Sequence, residues 1–242
     1  MAGPAVLIAA FAGRAAALAA RRAGFTPWVA DLFADADTRH IAGGVRRVRG
    51  DVSTGFDEAA LLEALRALTA EAAEPPIGLV YGAGFEDRPA LLRKIGAHWP
   101  ILGNSAETVE AVKQPLPLAQ HLAVLGIAHP EIRMDAPAKA DGWLAKRCGG
   151  AGGAHVARAS SSVPQGAVYY QRQVPGRSVS VLFVSSWRGV DIVGFSEQWT
   201  ARGPGQPFRF GGAVRPAECT GATEKQLTEA ARAVALDRKS VV

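Results

Sequence analysis

Short apolar runs alternate with helix-length segments through the first hundred residues, and this alternation constrains the fold more than any other feature. VLIAA at residues 6–10 is a buried-strand run. Gly13 supplies a turn, and Arg14 to Arg22 reads as an alanine-rich helix that Gly24 ends. Pro27 to Ala30 is a second strand that finishes at Asp31. Asp57 to Ala73 places Leu61, Leu62, Leu65 and Leu68 on one helical face, and Pro75-Pro76 stops it. Ile77 to Tyr81 is the next strand, Arg88 to Ile95 a helix, and Ile101-Leu102 a short strand. Strand, helix, strand in this order implies a small parallel α/β domain over residues 1–105. Gly82 and Gly84 then fall at a strand C-terminus, where open α/β sheets place ligands.

An acidic residue at the end of the second strand also suits a dinucleotide site. Ala10-Phe11-Ala12-Gly13, however, offers one glycine where that fingerprint needs three. A plain βα turn, or part of an acceptor-substrate site, fits the segment as well.

Beyond residue 105 the pattern changes. Glu107 to Val112 begins a helix with Lys113 near its end, and PLPLAQHLAVLG continues helically. Trp143 to Arg147, His155 to Arg158, Val168 to Val174, Ser178 to Ser185 and Val190 to Trp199 then read as strands. Between the first two lies WLAKRCGGAGGAHV, with Lys146 ahead of Gly149, Gly150, Gly152 and Gly153. A Walker loop needs GxxxxGK[ST] opening a helix, and here lysine precedes the glycines and β structure follows. A strand-borne lysine can still reach phosphates while glycine backbone N–H groups close over them. A glycine-rich hairpin with an exposed lysine explains the segment equally well by itself.

The 242 residues suffice for two modest domains, and 48% hydrophobic with 20% charged residues is globular rather than disordered. The net charge of +5 comes from scattered arginines without interleaved aromatics, so nucleic acid is not expected as a partner. Two distant cysteines, Cys148 and Cys219, make no disulfide framework and point to a reducing, cytoplasmic setting. The apolar start is interrupted by Arg14 and is too short for a membrane span. His40, His98, His121 and His129 lack zinc-ligand spacing. His155 follows the loop and is expected as a solvent-facing strand residue, with contact to phosphate as the alternative. Trp143 and Trp187 are expected in packing, and Cys148 has no histidine paired with it as a nucleophile would.

Taken together, VLIAAFAGRAAALAARRAGFTPWVADLF, AVKQPLPLAQHLAVLGIAHPE, WLAKRCGGAGGAHV, VYYQRQVPGRSVSVLFVSS, IVGFSEQW and FRFGGAVRP are similar in order and spacing to the ATP-grasp superfamily. The resemblance is to its bacterial ATP-dependent carboligases related to biotin carboxylase, and it covers roughly residues 5–236. It implies an N-terminal α/β (pre-ATP-grasp) domain over 1–105, a small α+β nucleotide-binding subdomain over 106–185, and a partial C-terminal ATP-grasp subdomain over 186–236.

The resemblance also implies roles. Lys113 and Lys146 would be the two nucleotide-contacting lysines, and Gly149, Gly150, Gly152 and Gly153 the lid over the β- and γ-phosphates. Tyr170, Gln171, Arg172, Gln173 and Val174 would be the adenine hinge. Arg172 and Pro175 stand where many relatives carry an acid for the ribose, which leaves ribose recognition unassigned. Arg215 would contact the acyl phosphate or substrate carboxylate, or else be a surface arginine after a glycine turn. Glu197 would approach magnesium or substrate, against a bland reading as a strand-end carboxylate. The implied activity is carboxylate–amine ligation with ATP and Mg2+, on small-molecule acid and amine substrates, with a homodimer allowed for the full-length protein. A non-catalytic ATP-binding module and a nucleotide-dependent enzyme using the N-terminal βαβ unit are the alternatives.

The family's metal carboxylates and asparagine sit on late strands, and nothing of that type follows Cys219. The final DRKSVV is what GATCGGAAGAGCGTCGTG encodes, a string shared with sequencing adaptors. Residues 237–242 are therefore expected to be an artefactual tail. The chain is expected to be a fragment of weak or no ligase activity, with the magnesium ligands outside it.

Overall fold

A computed structural model describes residues 3–161, 163–201 and 203–239, with the side chains of 237–239 outside the description. The expected tail thus lies outside the described residues, apart from the helical backbone of 237–239. The chain divides into two compact units, Met1–Glu110 and Ala111–Val242.

The first unit is a parallel α/β layer. Its elements are β1 (Ala5–Ala9), α1 (Arg14–Arg22), β2 (Thr26–Asp31), α2 (Ala36–Ile41), β3 (Gly44–Arg47), the two-residue strands β4 (Gly50–Asp51) and β5 (Gly55–Phe56), α3 (Glu58–Glu71), β6 (Leu79–Tyr81) and α4 (Pro89–Gly96). The main sheet has the order β3-β2-β1-β6, and every pair in it is parallel. Parallel neighbours need crossover connections, which the helices provide. The expected strand at Ile101-Leu102 is a single parallel bridge from Ile101 to Leu79.

β1 is buried along its whole length, as a central strand covered on both faces must be. α3 starts where the Asp57 carboxylate accepts the Ala60 N–H, and it buries Leu61, Ala64, Leu65 and Leu68 against the sheet. Each fully buried leucine contributes about 1.5–3 kcal/mol. Phe11, Phe56, Phe85 and Tyr81 form a run of ring contacts with neighbouring centroids 5.1, 5.6 and 5.5 Å apart. α2 and β3 carry no strong apolar period. They form because Asp35 caps α2 through the Thr38 N–H and because β3 completes the edge beside β2.

The second unit begins in the last turn of α5 (Ala106–Lys113). It contains α6 (Pro115–Val124), β7 (Ile132–Arg133), β8 (Trp143–Arg147), β9 (Val156–Arg158), β10 (Val168–Arg172), β11 (Val179–Ser186), β12 (Gly189–Thr200), β13 (Phe210–Val214) and α7 (Gly221–Lys239). One antiparallel sheet has the order β7-β10-β8-β9 and a second the order β11-β12-β13. β11 and β12 form one long hairpin whose turn is Trp187-Arg188. Trp143 is buried, as expected of a packing residue. Trp187 is not: it is 84% exposed at the hairpin turn, with the Arg188 guanidinium 4.7 Å from its ring. A two-residue turn simply has no core to receive it.

Candidate functional site

β-strand alternation sorts the candidate residues onto two faces. Lys146 pairs with Tyr169, and Leu144 with Gln171, so these four share one face of the first antiparallel sheet. The Lys146 ammonium donates to Gln171 Oε1 at 2.9 Å. Tyr170 and Arg172 lie on the opposite face with Trp143, where the Arg172 guanidinium sits 5.4 Å from the indole ring. At the end of β10, the Arg172 and Gln173 N–H groups donate to the carbonyls of Glu131 and Gly142. Val174 is exposed.

The glycine loop leaves β8 on the Lys146 side. Gly149, Gly152 and Gly153 take φ angles of 74°, 69° and 72°, a region costly for any residue with a Cβ. Lys113 reaches this loop from the end of α5 and donates to the Gly150 carbonyl at 3.1 Å. On its far side the loop is pinned as well, since the Phe210 N–H of β13 donates to the Gly152 carbonyl at 2.8 Å. Two cavities flank the loop. One of about 320 Å³ is lined by Lys113, Arg147, Gly149, Gly150, Tyr169 and Gln171, with apolar walls from α6. The other, about 470 Å³, lies against Lys146, Gly152 and Gly153, with Gln198, Trp199 and Phe210 across from them.

Positive charge accumulates here. Among the described residues, no ion pair involves Lys113, Lys146, Arg147 or His155. Burial pulls the Lys146 ammonium below its ordinary ionisation range. His155 is not a solvent-facing strand residue. It precedes β9, its ring is half-buried under the loop, and its ionisation is lowered by burial and by Arg147, Lys146 and Lys113. Sequence periodicity missed it because the residue lies one position outside the strand. Burial raises the ionisation of the Cys148 thiol, so the thiol is neutral at ordinary pH.

Other candidates are drawn elsewhere. Glu197 is gripped bidentately by Arg177, which lowers its ionisation and occupies both carboxylate oxygens. Arg215 lines neither cavity; it lies across Gly194 and donates to the Val193 carbonyl at 3.3 Å. Asp31 is fully buried, and it accepts the N–H groups of Gly13, Phe33 and Ala34 at 3.0, 3.1 and 2.6 Å. A carboxylate committed in this way does not reach ribose hydroxyls, which removes the support for a dinucleotide site on the first βαβ unit. Among the described residues there is no cluster of three His, Cys, Asp or Glu that could hold a metal ion. No described helix is long and apolar enough to cross a membrane.

A parallel α/β unit followed by two antiparallel sheets, with a strand-borne lysine ahead of a glycine loop, is the ATP-grasp fold. Solved structures agree. N5-carboxyaminoimidazole ribonucleotide synthetase in its ADP complex matches with a TM-score of 0.69 at 15% identity, over 99% of this chain and 64% of that one. The Aspergillus clavatus enzyme with ADP and 5-aminoimidazole ribonucleotide gives 0.67 at 16%, over 97% and 63%. L-amino acid ligase from Bacillus licheniformis gives 0.68 at 15%, over 97% and 61%. The chain thus spans a little over three fifths of the length of these structures. No family model and no curated protein matches the sequence.

Proposed function

We propose that this chain is the nucleotide-binding part of an ATP-dependent ligase that joins a small carboxylic acid to an amine. The single observation that carries the reading is the set of cations around the glycine loop, Lys113, Lys146 and Arg147, none of which makes an ion pair among the described residues. A partly buried ammonium at Lys146, with two further cations beside a glycine-rich loop, suits a polyphosphate. The cavity beside Lys146 has room for a nucleotide and offers Trp199 and Phe210 as apolar walls. The similar structures include synthetases and an amino acid ligase, two of them solved with ADP.

In this reading a substrate carboxylate oxygen attacks the γ-phosphorus of ATP and ADP leaves. The amine then displaces phosphate from the acyl phosphate. Lys113 and Lys146 hold the phosphates in line and balance the charge that spreads over the transferred group. Gly149, Gly150, Gly152 and Gly153 allow the backbone to close over them. Gln171 is the member of residues 170–174 that meets Lys146, and its side-chain oxygen positions that ammonium for the phosphates. The setting is cytoplasmic, in keeping with two free cysteines.

The test is ATP binding by this chain and its Lys113→Met and Lys146→Met variants, with ADP and phosphate release by the whole protein over a panel of acids and amines. We expect each substitution to weaken ATP at least about tenfold, the scale of one charge-assisted contact. ATP bound tightly but never consumed by the whole protein would move the reading to a non-catalytic ATP-binding module. Unchanged affinity in both variants would remove the site.

A further inference from the structure

The proposed function leaves His155 without a part, although the loop is built around it. A Cβ placed on Gly150 would lie 2.4 Å from the ring carbon Cδ2 of His155 and 2.7 Å from Nδ1. The same Nδ1 is 3.1 Å from the Ala151 carbonyl oxygen. A carbonyl only accepts, so Nδ1 carries the proton and Nε2 is the open acceptor of the neutral ring. The opposite side of Gly150 is held by Lys113, whose ammonium donates to its carbonyl. Gly150 is therefore clamped between an imidazole and an ammonium, and the loop turns on that clamp.

We propose that His155 is the post on which the phosphate loop is wound, and that its Nε2 takes up a proton when a polyphosphate settles on the loop. The inference rests on the nucleotide reading above and adds to it a proton-linked positioning residue. The titratable groups around the ring are Arg147 and Lys146 on β8 and Lys113 on α5, all of which raise the local positive charge. Cys148 and Tyr169 are next along the loop base. Burial raises the ionisation of both, so both remain neutral through the pH range concerned. In the empty site, burial and the three cations hold the imidazole neutral. Bound phosphates reverse the sign of that field, and the imidazolium becomes favourable.

The linkage has a definite sign. The proton affinity of Nε2 is higher in the bound state than in the free state, so nucleotide affinity strengthens as pH falls through the window between the two ionisations. The gain is at most about tenfold per pH unit for one proton. Above that window His155 contributes position only.

The experiment measures ATP binding calorimetrically by the full chain from pH 5.5 to 8.5, in buffers of different ionisation enthalpy. Wild type is compared with His155→Asn, which keeps a donor toward Ala151 but does not titrate, and with His155→Ala, which removes the post. Taking the difference between proteins cancels the titration of ATP itself. We expect the wild type to take up more protons than H155N near pH 6 and to match it within about threefold at pH 8. H155A should be weaker than both at every pH by about tenfold or more. Equal proton uptake by wild type and H155N overturns the protonation at Nε2, and H155A binding as wild type at pH 8 overturns the post. In either case ATP still binds and the nucleotide reading stands. Absence of ATP binding by the wild type at any pH overturns both. If H155A does not fold, the comparison with H155N decides.

Discussion

Asp31 sets a quantitative test of the first unit. Its carboxylate is sealed from solvent and accepts three backbone N–H groups, from Gly13, Phe33 and Ala34. Replacing it with alanine strands those donors. The Gly13 and Ala34 bonds are buried, whereas the Phe33 bond is partly open to water. An orphaned buried donor costs about 1–3 kcal/mol, so Asp31→Ala should cost about 2–6 kcal/mol. That is a large share of a total stability of about 5–15 kcal/mol. Asp31→Asn keeps one acceptor oxygen for Phe33 and Ala34 but turns its NH2 toward the Gly13 N–H. It should cost about half as much. Urea unfolding followed by tryptophan fluorescence, with hydrogen exchange to isolate the first unit, ranks the three proteins. Asp31→Ala within about 0.5 kcal/mol of wild type would refute the donor accounting. Equal losses in both variants would show that charge, and not the number of acceptors, sets the cost.

Three further perturbations bear on packing and on the loop. A Cβ on Gly44 would lie 2.6 Å from the Trp28 ring, so Gly44→Ala should lose about 1–3 kcal/mol to overpacking, read as a lower urea midpoint. Lys146 is ionised less readily in the folded chain than in the unfolded one, so its contribution is complete above its ordinary range and is lost as pH falls through the lowered folded value. Lys146→Met should therefore raise the melting temperature of the nucleotide-free protein at pH 7, by about 2–4 °C for each kcal/mol gained, and the gap should close toward pH 11. A lower melting temperature would show that its bond to Gln171 outweighs burial. A Cβ on Gly153 would fall 2.0 Å from the Phe208 carbonyl oxygen. Gly153→Ala should force the loop off β13 and weaken ATP several-fold, and calorimetry that finds no change would show the loop free to bend elsewhere.

Legibility of the sequence followed the strength of the local pattern. β1, α1 and β2 were readable because a buried run, an alanine-rich stretch and two glycines agree, and α3 because four leucines mark one face. β13 was not recognised as a strand, since Gly211 and Gly212 read as a turn. Their missing side chains instead make way for Trp199, whose ring would be 2.7 and 2.3 Å from a Cβ at those two positions. The pairing of two glycines with one tryptophan on the adjacent strand is a tertiary fact with no local period. In the candidate site, spacing marks Lys146 and the glycines as a strand followed by a loop, and leaves a phosphate loop and a plain hairpin equally open. The division of Tyr170 and Arg172 from Gln171 follows from alternation along the strand read at residues 168–174, whereas their partners on β8 needed the register, which sequence could not supply. Glu197 looked available until Arg177, twenty residues away, closed on it.

The bond from the Phe210 N–H to the Gly152 carbonyl makes one amide a meter of the loop. That proton is shielded only while the loop lies down, so its deuterium exchange rate counts the openings directly. A single resonance would then report, without label or substrate, how often the mouth of this site breathes and how far a bound molecule keeps it shut.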